Sequence, residues 1–194
     1  MSTETIERID PAKTALLVMD YQQGILGRLP QADELLATAK ETIELLRSHG
    51  VTIGYVRVAF ADGEAPGGRM GKMVNAEMLP LFHADAPGTQ IHEQIAPLDG
   101  DIVVRKVRVG PFGTTDLHEQ LQAKGIDTLI LAGLSTSGVV LSTVRDGHDR
   151  DYRLIVLSDL TADPDVEVHE FLVSRVFPRQ ADVIASADLA DLLK

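Results

Sequence analysis

Residues 127–147, which read DTLILAGLSTSGVVLSTVRDG, gather the residue types that chemistry at a backbone turn would need. The apolar run Thr128, Leu129, Ile130, Leu131 and Ala132 closes at Gly133, the pattern of a strand buried on both faces of a parallel sheet. Ser135, Thr136 and Ser137 follow with oxygens suited to N-capping. Val139, Val140, Thr143 and Val144 then recur at helical spacing, which predicts a helix starting within a residue or two of Ser137. A helix N-terminus leaving the carboxyl end of a strand gathers backbone N–H groups and the positive end of the helix dipole, an arrangement that stabilises negative charge. Two other residues end apolar runs in the same way, Asp20 after residues 15–19 and Lys106 after residues 102–104. In one pocket an Asp and a Lys would form an ion pair, and partial burial would move the carboxyl toward neutrality, where it can give or take a proton.

Each of these residues also has a plainer reading. Asp20 can be a strand-ending Asp that bonds loop amides, and Lys106 a solvated lysine with Arg105 and Arg108 as close alternatives. A serine nucleophile in the turn needs a base, and His148 lies more than two helical turns beyond Ser137, so N-capping is the expected role of the three hydroxyls. The glycines form neither a dinucleotide-binding fingerprint after the first strand nor a phosphate-binding loop.

Elements that would position these residues alternate along the chain. After a polar lead over residues 1–13, strands are expected over 15–19, over 51–60 with an interruption near Gly54, over 100–107, 128–132 and 152–157, the last ended by Asp159, and over 182–185. Helices are expected over 33–49, from Thr114 or Thr115 to Gly125, from the Ser137 turn, from Asp163 to Val176 and from about Asp188. This is the pattern of an α/β fold: a three-layer α/β/α sandwich around a six-stranded, parallel, doubly wound sheet, spanning residues 1–194 as one domain. Asp20, Lys106 and Gly133 are expected at the carboxyl ends of three adjacent strands. Periodicity fails over residues 61–88, rich in glycine and proline, apart from a short helix within 69–79. So long a loop is a lid, a binding loop or an oligomer contact. Its Met70, Met73, Met78, Leu79, Leu81 and Phe82 exceed what a solvated loop needs, which predicts a homo-oligomer of at least two copies.

With 194 residues the chain can bury a sizeable core. Its net charge of −11 argues against nucleic acid or an anionic membrane as partner and fits a well-solvated protein. It contains no cysteine, so disulfides, thiolate zinc sites and thiol nucleophiles are excluded. With no leader-like apolar segment and no membrane-length run, a cytoplasmic protein is the expectation.

Taken together, Asp20, Lys106 and the turn after Gly133 resemble the isochorismatase-like hydrolase superfamily, whose pattern is G-x-x-T-x-x-C-V-x-x-T. Here Gly133, Thr136, Val140 and Thr143 match, and the cysteine position falls on Val139. The resemblance implies catalytic positions at Asp20, Lys106 and Val139. It implies substrate contacts at Gln22, Arg57, Phe112, Leu134, Ser135, Thr136, Ser137 and Gly138. It also implies a cis peptide bond between Leu134 and Ser135. Metal-binding members carry Asp and His just after the second strand, where this chain has Arg57, Val58, Ala59 and Phe60, so neither a metal nor another cofactor is expected. Valine cannot form a thioester. Isochorismatases proper also lack the cysteine and cleave a vinyl ether with the aspartate as acid, so the resemblance implies either acid catalysis on a small anionic metabolite or a non-catalytic binder of such a ligand.

Overall fold

Six runs of aliphatic and β-branched residues become the six strands of one all-parallel sheet in a computed structural model that describes residues 6–193. Residues 1–5 of the polar lead and Lys194 lie outside the described residues. In chain order the elements are β1 (Thr14–Met19), α1 (Gln23–Leu26), α2 (Ala32–Ser48), β2 (Thr52–Val58), α3 (Gly68–Met73), β3 (Ile102–Lys106), α4 (Leu117–Ala123) and β4 (Thr128–Leu134). A wide helical turn (Thr136–Val140) then leads into α5 (Leu141–His148). They are followed by β5 (Arg153–Ala162), α6 (Val166–Phe171), a second wide turn (Leu172–Val176), β6 (Asp182–Ile184) and α7 (Leu189–Leu192).

Side-chain alternation along the strands builds two cores, one on each face. Leu16, Val18, Ile53, Tyr55, Ile130 and Ile155 face α2 and α7 on one side, and α2 lays Leu35, Leu36, Ala39, Ile43 and Leu46 against them. Leu17, Met19, Val56, Val104, Leu129 and Leu131 face the other way and pack with Leu117 and Leu121 of α4 and Val144 of α5. β1 and β4 are buried at every position, as strands covered on both faces must be.

Strand order is β3-β2-β1-β4-β5-β6. The chain winds outward from β1 through β2 to β3, then returns to β4 on the other side of β1 and winds outward again. The reversal falls between β1 and β4, the place where open α/β sheets form a crevice at their carboxyl edge. This corrects the expectation of three adjacent strands, because β2 stands between the strand of Asp20 and that of Lys106. The register Met19↔Val56 and Val58↔Lys106 shows that Lys106 must reach across the end of β2.

Two boundary expectations are also corrected. Gly54 is neither bulged nor an interruption: it pairs in register with Leu17 and Ile102, and a Cβ there would stand 2.8 Å from Leu17 Cδ2, so a close approach of side chains explains the glycine. β5 does not stop at Asp159. After a register shift it resumes beside β4, pairing Gly133 with Thr161 and Leu134 with Ala162, while Asp159 turns outward to accept from Ser186 N and Oγ at 2.9 and 2.6 Å. The longer strand delivers Asp163 to the edge where the turn after β4 lies. In the 61–88 segment, α3 and a short helical turn (Leu79–Phe82) are the ordered pieces.

Candidate active site

Asp20 is the first residue past β1 and takes φ 61°, a left-handed conformation that Asp tolerates better than most residues. Its N–H still donates to Val56 O at 2.8 Å, and the bend turns its carboxylate into the edge of the sheet. Lys106, only 2 % exposed, donates from Nζ to Asp20 Oδ2 at 2.8 Å and to Val109 O at 2.8 Å. The other carboxylate oxygen, Asp20 Oδ1, is buried with no hydrogen-bond partner among the described residues. A bare carboxylate oxygen out of water costs free energy in proportion to its charge, so it marks either a proton or a ligand donor that belongs there. Burial pushes the Asp20 carboxyl up to about 6, with the Lys106 ammonium and its hydrogen bond pulling the other way. The acid is thus held within about a unit of neutrality, where it can deliver and recover a proton.

The turn after β4 adjoins this pair. Met19 pairs with Gly133 in register, so Asp20 stands level with Leu134 on the neighbouring strand. Val109, whose carbonyl holds Lys106, has its Cγ1 3.8 Å from the position a Cβ on Gly138 would take. Gly133 permits the packing, since a Cβ there would meet Val140 Cγ2 at 2.8 Å and Met19 Cβ at 3.3 Å. The Leu134-Ser135 peptide bond is cis, as the resemblance implied. Thr143 Oγ1 donates to Val139 O at 2.7 Å and fixes the first helical turns. Val139 itself is 2 % exposed and belongs to the same apolar cluster as Met19.

The hydroxyls of the turn are not N-caps, which corrects that expectation. Ser135, at the capping position, makes no side-chain cap bond. Instead Asp163 Oδ2, from the end of β5, accepts from Ser137 N at 2.8 Å and from Ser137 Oγ at 2.7 Å. Thr136 Oγ1, fully buried, bonds His169 Nδ1 of α6 at 2.8 Å. Sequence reasoning looked for a histidine along α5, at His148, and missed both partners. The signal was present in topology: whatever follows β5 must meet whatever follows its neighbour β4.

Three other positions are placed elsewhere. Gln22 uses its whole amide as a brace, accepting from Val58 N at 2.8 Å and donating to Val58 O and Thr89 O at 2.9 and 2.8 Å. Arg57 precedes Val58, the register partner of Lys106, and so points to the opposite face, where it donates to Ala84 O and Thr89 O at 3.0 and 3.2 Å. Gln22 and Arg57 therefore tie down the loop at residues 84–90. Phe112 stacks on Tyr152 with ring centroids 6.0 Å apart and lies under the Arg150 guanidinium, beyond the far end of α5. The structure does not bring it to Asp20. A cavity of about 640 Å³ opens past the end of β2, lined by Phe60, Glu64, Leu79, His83 and Pro87 among others, and neither Asp20 nor Lys106 lines it. Among the described residues no group of three or more His, Asp or Glu is arranged to hold a metal ion.

The fold and this edge define a class: a doubly wound α/β protein with a buried carboxylate–ammonium pair beside a glycine-led turn. The profile of the isochorismatase domain matches residues 14–188, and the chain belongs to that family. It is similar to the uncharacterized isochorismatase family protein YwoC of Bacillus subtilis, 34% identical over 88% of this chain and 89% of the relative. It is also similar to the maleamate amidohydrolase of Pseudomonas putida, 30% identical over 94% of this chain and 87% of that protein. The crystal structure of a cysteine hydrolase from Pseudomonas syringae shares the fold, with a TM-score of 0.90 at 24% identity over 100% of this chain and 98% of the other.

A pH dependence of stability follows from the Asp20 shift. Its folded value of about 6 lies above the unfolded value of 3.8, so the folded state holds the proton more tightly. The associated stability is fully present below the unfolded value and is lost as pH rises through about 6, a loss of about 3 kcal/mol. Denaturant unfolding from pH ~4 to ~7 should show this decline in the parent chain and not in Asp20→Asn. Identical slopes in the two chains would mean that Asp20 titrates as an ordinary carboxylate.

Proposed function

We propose that this protein is a hydrolase of the isochorismatase family that acts on a small anionic metabolite by acid catalysis, with Asp20 as general acid and no thiol nucleophile. The observation that carries the reading is the bare, buried Asp20 Oδ1 beside a carboxyl held up at about 6. Lys106 keeps Oδ2 fixed, so a proton on the pair is carried by Oδ1, the oxygen free to hand it on. The backbone of the turn, with Ser135 at its surface, contributes N–H dipoles to the negative charge that develops on the substrate. Water completes the hydrolysis by attacking the carbon activated by protonation, and the proton is recovered at Asp20. Leu134, Ser135, Thr136, Ser137 and Gly138 form the wall of the site, with Val139 filling the thiol position as an apolar floor.

Val139 also supports a second reading, a relative that binds such a metabolite without turning it over. The two separate on turnover. The pure chain is offered isochorismate for vinyl ether cleavage, maleamate for amide cleavage and a ureide. Acid catalysis predicts product from at least one, and a fall of about 10²-fold or more in Asp20→Asn with little change in KM. No product from any, with a raised melting temperature in the presence of the same compounds, favours the binder.

The site is assigned to a homo-oligomer in the cytoplasm. Met73 and Leu81, 72 % and 61 % exposed on the loop beyond β2, give apolar surface that a second copy would cover. Light scattering at micromolar concentration should give a mass of two copies or more, and a monomer would refute the assignment.

A further inference from the structure

Asp163 and His169 reach the turn from outside it, and nothing in the acid chemistry above uses them. Asp163 is nine-tenths buried, and its Oδ2 takes both the backbone N–H and the hydroxyl of Ser137, while Oδ1 accepts from Asp165 N at 3.3 Å. His169, half-buried on α6, meets the fully buried Thr136 hydroxyl through Nδ1. Both sit on the segment that follows β5, so two successive residues of the turn are held by one neighbouring element. The intervening geometry is specific. Thr136 and Ser137 lie between Ser135, level with the space in front of Asp20, and Val139, at the thiol position, so a rotation of either peptide plane would displace the flanking peptide groups of Ser135 and Val139.

We propose that Asp163 and His169 are positioning residues that clamp Thr136 and Ser137 and so keep the backbone donors of the turn aimed at the reacting group in front of Asp20. This rests on the reading of the Asp20 edge as the reactive site. It assigns the segment after β5 a part in catalysis although neither side chain need touch substrate. A carboxylate that accepts two N–H or O–H bonds at 2.7–2.8 Å fixes its donors more tightly than solvent would, and fixed donors give their full electrostatic effect without reorganising. The wide turn (Thr136–Val140) is an opening that a regular helix would not leave unsupported, and the clamp supplies the missing support from the side.

The chain itself provides the test, because it has no cysteine and Val139→Cys therefore installs a single thiol two residues beyond the clamped Ser137. The thiolate absorbs in the ultraviolet, so its titration is read directly in the full chain without any substrate. In Val139→Cys alone, the helix N-terminus, the Lys106 ammonium and the turn amides should bring the thiol below its ordinary value of about 8.5. Asp163→Asn and His169→Asn keep an acceptor and a partner in place, and relative to these Asp163→Ala and His169→Ala, which match them in charge, should raise the midpoint by about one unit, roughly tenfold in thiolate at neutral pH. Melting temperatures taken alongside separate a general loss of stability from a local one. If both alanine variants melt lower yet leave the thiol midpoint unmoved, the two residues only brace the fold and the proposal is wrong. A thiol at its ordinary value in Val139→Cys itself, with the clamp intact, would instead overturn the reading of the site.

Discussion

A carboxylate removed from water must be neutralised, paired or liganded, because the penalty for leaving it bare amounts to several kcal/mol. That constraint organises this molecule. Asp20 is buried at the point where the sheet reverses direction, and the ammonium that answers it comes from β3, two strands away. The arrangement works because a lysine side chain is long enough to span the end of β2 and because Val109 O takes a second of its donors. Lys106 saturates one carboxylate oxygen and leaves the other unanswered. As a structural salt bridge the pair is therefore incomplete, with Oδ1 left without a partner among the described residues.

Around that pair the chain spends its polar groups on rigidity. Gln22 and Arg57 hold the loop at residues 84–90 through backbone carbonyls, and Asp163 and His169 hold the turn after β4. These contacts are to peptide groups or hydroxyls at distances of 2.7–3.2 Å, and their effect is to fix where the main chain points. Valine at position 139 leaves this scaffold intact, since the bonds that hold the turn run through Thr136, Ser137 and Thr143. Val139 joins the apolar cluster of Met19, Val140 and Val144.

Much of this was legible in residue order, for identifiable reasons. Strands covered on both faces read as unbroken apolar runs, so β1 and β4 stood out and Asp20 and Lys106 could be named as residues that end such runs, while their pairing came from the family resemblance. Lateral order was not legible, because winding outward on either side of β1 leaves no local mark; that is why Asp20 and Lys106 were expected on adjacent strands. The end of β5 lies further on than residue order suggests, since Asp159 reads as a stop, whereas the strand passes it with a register shift and resumes. With β5 too short, Asp163 looked like a helix start and His169 like one scattered histidine among six. Arg57 and Phe112 are engaged with partners that residue order did not reveal: Arg57 holds Ala84 O and Thr89 O, and Phe112 stacks on Tyr152 under Arg150.

Burial and Lys106 together hold the Asp20 carboxyl near neutrality, and a carbon-13 NMR titration of that carboxyl in the intact chain reads this balance without any substrate. The account predicts a midpoint at about 6, moving higher in Lys106→Met, where burial acts without the opposing ammonium. A midpoint near the unperturbed value of about 3.9, insensitive to Lys106→Met, would mean that water reaches Asp20 freely and would contradict the account.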